Sequence, residues 1–290
     1  MRKFIIILAI AGAATLSAAA VDQKDVEYTR PDGKPVLLDL HVPDGLGPFP
    51  AAVLIHGGGF DEGSKSTNVR PLFDVLANAG YAWFSIDYRM APEFRFAQAR
   101  EDVDAAIVWV KANAHTYKVD PTRLVLAGES AGGFLVNYAA THETPQTKVA
   151  AVVDIYGPVD YEKIARQRQA YPARFNMTSI TSHQKNGGSI WFFGAEGYDE
   201  ASYAKLKEIS PLHAVHKGMP PFLAIHGTRD DQVPYEQSPI LCAAMRKVGA
   251  QCDIITVEAG GHGMGSWKDA DQQHYKPEMI AWLKHTLNVQ

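Results

Sequence analysis

A chain of 290 residues, 46% hydrophobic and 21% charged, has enough apolar material for a large buried core, which excludes a disordered or fibrous protein. Its formal charge of −4 arises from 28 basic and 32 acidic residues interspersed along the sequence, without the Lys/Arg clusters that a nucleic-acid partner requires.

At the start, Arg2 and Lys3 precede an apolar run from Phe4 to Leu16, and Ser17-Ala18-Ala19-Ala20 then gives way to polar sequence. This pattern predicts a signal peptide over residues 1–20 and an exported mature chain over 21–290, periplasmic or secreted. The run is shorter than the ~20 residues of a spanning helix, so no membrane span is expected after processing. Export implies an oxidising compartment, in which the two cysteines, Cys242 and Cys252, either pair or remain packed thiols.

Val36–Val42 alternates between turn-forming residues and reads as one arm of an N-terminal hairpin. Four continuous apolar runs follow, Ala51–Ile55, Tyr81–Ile86, Arg123–Ala127 and Val149–Ile155, with Phe222–Ile225 and Asp253–Val257 near the end. Such runs suit parallel strands covered on both faces. Helical spacing separates them over Val69–Ala79, Ala97–Ala114, Phe134–Ala140, Pro234–Val248 and Asp271–Leu287. The alternation predicts one α/β domain with a mostly parallel central sheet and helices on both faces. Residues 158–219, with weak periodicity, read as an insertion over the active site. The aromatics Tyr156, Tyr171, Phe175, Trp191, Phe192 and Phe193 either line an acyl or aryl pocket there or serve as ordinary packing.

Gly128-Glu129-Ser130-Ala131-Gly132-Gly133 follows a strand and opens a helix, the setting of a nucleophile elbow. Attack by Ser130 on a carbonyl creates an oxyanion that needs backbone N–H donors, and His56-Gly57-Gly58-Gly59-Phe60 supplies a glycine-rich loop at the end of a strand. A neutral serine needs a base, and the base needs a carboxylate to fix its tautomer. Among eleven histidines, His262 lies on a glycine-rich loop after the last strand, while His56 and His226 end strands within other motifs and read as structural. The loop after Phe222–Ile225 offers Asp230 and Asp231; Asp230 is the choice and Asp231 the alternative. His213 and His216 are three apart without a carboxylate set, so no metal is expected, and no cofactor is needed. Glu129 reads as a residue fixed by structural hydrogen bonds rather than a direct participant.

Together with Asp87-Tyr88-Arg89-Met90-Ala91-Pro92 and Gly227-Thr228-Arg229-Asp230, these motifs resemble the α/β-hydrolase esterases of the hormone-sensitive-lipase and bacterial feruloyl/acetyl esterase group. The resemblance implies an α/β-hydrolase fold, an acyl-enzyme mechanism through Ser130, His262 and Asp230, and oxyanion donors at Gly58, Gly59 and Ala131. It favours Asp230 over Asp231. A small-molecule ester is the implied substrate, short-chain acyl or aryl, with carbohydrate-linked acetyl or feruloyl groups as candidates. The segment from His226 to Ser238 also looks like the catalytic domain of prolyl-oligopeptidase-type peptidases, the runner-up. A non-catalytic binding protein on a hydrolase scaffold is the alternative of another class.

Overall fold

A computed structural model describes residues 19–171 and 188–289. The expected signal peptide and the expected pocket aromatic Phe175 therefore lie outside the described residues, the former but for its last two positions. The described chain builds one eight-stranded sheet in the order β1-β2-β4-β3-β5-β6-β7-β8. Its strands are β1 Val21–Thr29, β2 Val36–Val42, β3 Phe49–Ile55, β4 Ala82–Ile86, β5 Val119–Glu129, β6 Ala151–Ile155, β7 Phe222–Gly227 and β8 Cys252–Val257. The β1–β2 hairpin is antiparallel, and β2 joins β4 antiparallel; every later neighbour pair is parallel.

Strand β3 is the middle of this arrangement, with Val53 opposite Phe84 on one side and Leu126 on the other. Its residues alternate between two cores: Ala51, Val53 and Ile55 join one apolar cluster, Ala52 and Leu54 the other. Helices Phe96–Ala112 and Ala131–Thr141 close the first face, and Phe73–Asn78 and Asp269–Thr286 close the second. Burial of each such Leu, Val or Ile stabilises the fold by roughly 1.5–3 kcal/mol. Continuous apolar runs, rather than alternating ones, follow from this coverage of both faces.

Two expected boundaries differ. The ladder places Phe49 opposite Val119 but Ala51 opposite Leu124, so β5 starts before the Asp120-Pro121 turn and skips across it. Asp120 Oδ1 accepts from the Thr122 amide at 2.9 Å and holds that turn inside the strand. The helix expected from Val69 opens as a 3-10 turn over Arg70–Leu72, with Pro71 in its first turn, and is regular only over Phe73–Asn78. Cys242 and Cys252 form a disulfide, Cα atoms 5.0 Å apart, tying helix Gln237–Lys247 to β8. Among the described residues no helix is long and apolar enough to cross a membrane.

Between β6 and β7 the chain forms helices Tyr161–Ala170, Gly188–Phe192 and Glu200–Glu208 and a 3-10 turn at Pro211–Ala214. Asp160 and Asp199 cap two of them, accepting from the Lys163 and Ser202 amides. Phe192 and Phe193 are buried with Phe60, Phe96, Phe134 and Tyr161; the Phe60–Phe192 ring centroids lie 4.6 Å apart and those of Tyr161–Phe193 also 4.6 Å. Trp191 lies under the Arg95 guanidinium at 3.2 Å. These rings are packing, while Tyr171 is 65% exposed. Of the described aromatics expected to line a pocket, Tyr156 lines the cavity beside Ser130, and Tyr171 lines a separate surface cavity with Asp160 and Arg166.

Candidate active site

Strands β3, β5, β7 and β8 are parallel, so the loops at their carboxyl ends gather at one edge of the sheet. The glycine loop, the elbow, Asp230 and His262 each sit on one of them, and the Asp87–Pro92 motif follows β4. After β5, Ser130 adopts φ 54° and ψ −116°, a conformation sparsely populated by residues with a Cβ, and its amide donates to the Ile155 carbonyl at 2.9 Å. The turn brings helix Ala131–Thr141 so close to β3 that a Cβ on Gly132 would run into the Ile55 carbonyl oxygen. This contact explains the second glycine of the elbow.

The loop after β8 reaches back over β7: the Arg229 amide donates to the Gly260 carbonyl at 2.9 Å and Trp267 Nε1 to the Gly261 carbonyl at 2.8 Å. His262 is thereby held with Nε2 2.9 Å from Ser130 Oγ and Nδ1 2.8 Å from Asp230 Oδ2. The arrangement fits the tautomer in which Nδ1–H donates to the carboxylate and Nε2 accepts from the hydroxyl. The Asp230 side chain is buried, and its other oxygen accepts from the amides of Gln232 and Val233 at 2.9 and 2.8 Å. Asp230, not Asp231, is thus the carboxylate joined to His262. Burial opposes the Asp230 charge, but the neighbouring His226 and His262 outweigh it and hold its pKa well below the usual carboxylate range. Burial also opposes the imidazolium of His262, yet the Asp230 hydrogen bond and charge, with Glu129 and Asp231 behind them, raise its pKa.

Gly58, Gly59 and Ala131 line the same cavity as Ser130 and His262, about 470 Å³ in volume. The loop carrying the glycines is anchored from several sides. His56 is buried, stacks on Tyr88 with centroids 4.5 Å apart, and accepts the Tyr88 hydroxyl on its carbonyl at 3.0 Å. The Ala91 amide donates to the Phe60 carbonyl at 2.8 Å, and Arg89 pairs with the buried Asp102 at 2.9 Å. The Asp87–Pro92 motif therefore supports the glycine loop from behind. His226 is likewise buried, bonded to Ser238 Oγ at 2.8 Å and the Val233 carbonyl at 3.0 Å. His213 and His216 are exposed, and among the described residues no group of three or more His, Cys, Asp or Glu side chains is placed to hold a metal.

Sequence reading missed most of the cavity wall. Asn68, Tyr161, Arg168, Gln232 and Ser266 line it, Tyr161 and Arg168 from one helix and the others from three separate loops. Arg168 Nη2 donates to the Gln232 carbonyl at 3.2 Å, which fixes the guanidinium against the loop that carries Asp230. No spacing in the sequence links these positions.

The sheet order, the elbow after β5 and the convergence of the late loops define an α/β-hydrolase. Solved structures share the fold: a truncated carbohydrate esterase from gut microbiota superimposes with a TM-score of 0.76 at 24% identity, covering 92% of this chain and 96% of that one. Esterase 2 of Thermogutta terrifontis gives 0.70 at 22% identity, covering 92% and 93%. The chain belongs to the BD-FAE family, whose model matches residues 38–245. Esterase LipC of Mycobacterium tuberculosis is 31% identical over 228 residues, 74% of this chain and 53% of the relative. Esterase LipQ of the same organism is 29% identical over 247 residues, 80% and 54%. The chain spans about half the length of these relatives.

Proposed function

We propose that this chain is a serine carboxylesterase. The observation that carries the reading is the single hydrogen-bonded line from Ser130 Oγ through His262 to the buried Asp230 carboxylate. Ser130 attacks the ester carbonyl carbon while His262 Nε2 takes the hydroxyl proton. Asp230 holds the imidazole in the required tautomer and stabilises its cationic form. The amides of Gly58, Gly59 and Ala131 receive the oxyanion. The C–O bond to the alcohol then breaks, His262 returns its proton to the departing oxygen, and water activated by the same imidazole releases the acid from the acyl-enzyme.

Esterase relatives support this reading, as does the elbow geometry of Ser130. The cavity wall is rich in hydrogen-bonding groups and offers few aliphatic side chains beside Val233 and Met264. Such a wall suits a hydroxyl-rich alcohol carrying a short acyl group, or an aryl one against the Tyr156 and Tyr161 rings, so acetylated or feruloylated carbohydrate is the proposed substrate class. The leader pattern and the Cys242–Cys252 disulfide support export to the periplasm or beyond, with residues 21–290 as one mature catalytic domain and residues 158–219 as its insertion beside the cavity.

The test is hydrolysis of 4-nitrophenyl acetate by the purified chain beside Ser130→Ala. Turnover by the wild type well above the variant supports the esterase; equal rates sink it and leave a binding protein on a hydrolase scaffold. A parallel panel of acetylated and feruloylated sugars and proline-containing amides ranks the substrates. Preferential amide cleavage replaces the esterase reading with a peptidase.

A further inference from the structure

We propose that Glu129 is a positioning residue whose carboxylate both holds the glycine loop against the nucleophile and supplies negative charge to His262. The proposal deepens the esterase reading and rests on it for its catalytic consequences.

Glu129 ends β5, directly before Ser130, and only 4% of it is exposed. Its Oε1 accepts from the Gly57 amide at 2.6 Å across 72 residues of chain. A Cβ on Gly57 would collide with the same carboxyl group, so the first glycine of the loop and the glutamate are matched in shape as well as in hydrogen bonding. Asn68 and the Tyr156 hydroxyl face the carboxyl from two further loops. The Tyr156 hydroxyl in turn accepts the Met264 amide at 2.9 Å, two residues past His262, and its ring centroid lies 4.8 Å from that of the imidazole. Glu129 thus touches the loop carrying Gly58 and Gly59 directly and reaches the His262 loop through Tyr156.

A carboxylate is costly to bury and is retained where hydrogen bonds and a nearby cation offset the desolvation. Burial raises the Glu129 pKa, while the His262 charge and the Gly57 amide act against that rise. The coupling is reciprocal, because Glu129 is among the charges that raise His262. Around the imidazole stand Asp230 and Asp231 from the loop after β7, Glu129 from β5, Ser130, and Tyr156 from the end of β6; Glu62 and Arg168 stand further out on the cavity wall. Removal of the Glu129 charge leaves the Asp230 contact intact, so its effect is separable.

Glu129→Gln keeps an oxygen for the Gly57 amide and loses the charge; Glu129→Ala loses both. In the full chain, the His262 imidazole titration followed by NMR is expected to move to lower pH in both variants, and the acid limb of kcat/KM to move with it. The kcat of the alanine variant is expected to fall roughly 10- to 100-fold below that of the glutamine variant, with KM little changed, because the oxyanion donors lose their anchor. An unmoved imidazole titration in Glu129→Gln overturns the electrostatic part. Equal kcat in the two variants, with only a lowered Tm, overturns the positioning part. Wild-type turnover no better than Ser130→Ala is a failure of the esterase reading instead, and the imidazole titration still decides whether Glu129 is coupled to His262.

Discussion

The carboxyl edge of the sheet and the segment between β6 and β7 both border the cavity, but they are built by different physics. At the edge, chemistry is set by backbone: Ser130 is held at a positive φ, Gly132 is pressed against β3, and the His262 loop is tied to its neighbours by main-chain hydrogen bonds. In the segment beyond β6, side chains decide. Phe192 and Phe193 pack against Phe60 and Phe134, and single residues such as Tyr161 and Arg168 reach the cavity. The contrast teaches that the Ser130–His262–Asp230 geometry and the shape of the cavity wall are encoded separately, the first in constrained turns and the second in packing.

That separation is open to attack. Ser130→Ala removes the nucleophile and is expected to cut kcat by roughly 10⁶ while the protein remains folded; ester turnover and a thermal melt together check it. Asp230→Asn leaves the cavity in shape but favours the wrong imidazole tautomer, and a loss of roughly 10⁴ in kcat is expected. A loss below tenfold would assign the carboxylate role elsewhere, with Asp231 first in line. Phe192→Ala strikes the other region: about 3–5 kcal/mol of stability should be lost in denaturant titration, with kcat within about threefold of wild type. If kcat collapses at temperatures where the variant is folded, the two regions are not separable.

Replacement of both Cys242 and Cys252 by alanine opens a short loop and is expected to cost about 2–3 kcal/mol, read by melts, with activity kept because neither sulfur approaches the cavity. The smallest effect is that of pH. The proposed mechanism needs neutral His262, and Asp230 raises its pKa against the opposing effect of burial, so kcat/KM should be fully developed above that pKa and fall about tenfold per pH unit below it. The acid limb should lie higher than for an unperturbed imidazole, and Asp230→Asn should move it down.

Much of this is legible in the amino-acid sequence. Strand β2 occupies the expected Val36–Val42, and six more strands lie within a few residues of their apolar runs, because burial on both faces leaves a continuous signal. Strand β1 was legible only as an implied hairpin partner: Val21–Thr29 is an edge strand with mostly exposed side chains and no apolar alternation. The elbow, the glycine loop, His262 and Asp230 were legible since each is a backbone demand written in neighbouring residues. Phe192 and Phe193 were ambiguous because an aromatic side chain serves a cavity wall and a core equally well; only their neighbours decide. Arg168, Tyr161 and Asn68 carry no local signature at all, and their role at the cavity exists only after folding brings distant elements together.

The backbone angle at position 130 also restricts which side chain this turn accepts. A residue at φ 54° already crowds its Cβ against the adjacent carbonyls, and a second branch on that carbon would worsen the crowding. Cysteine has the same single branch as serine and can occupy the turn, whereas threonine cannot do so without unwinding it. The turn therefore admits exchange of oxygen for sulfur at the proposed nucleophile, but not the change from a primary to a secondary alcohol.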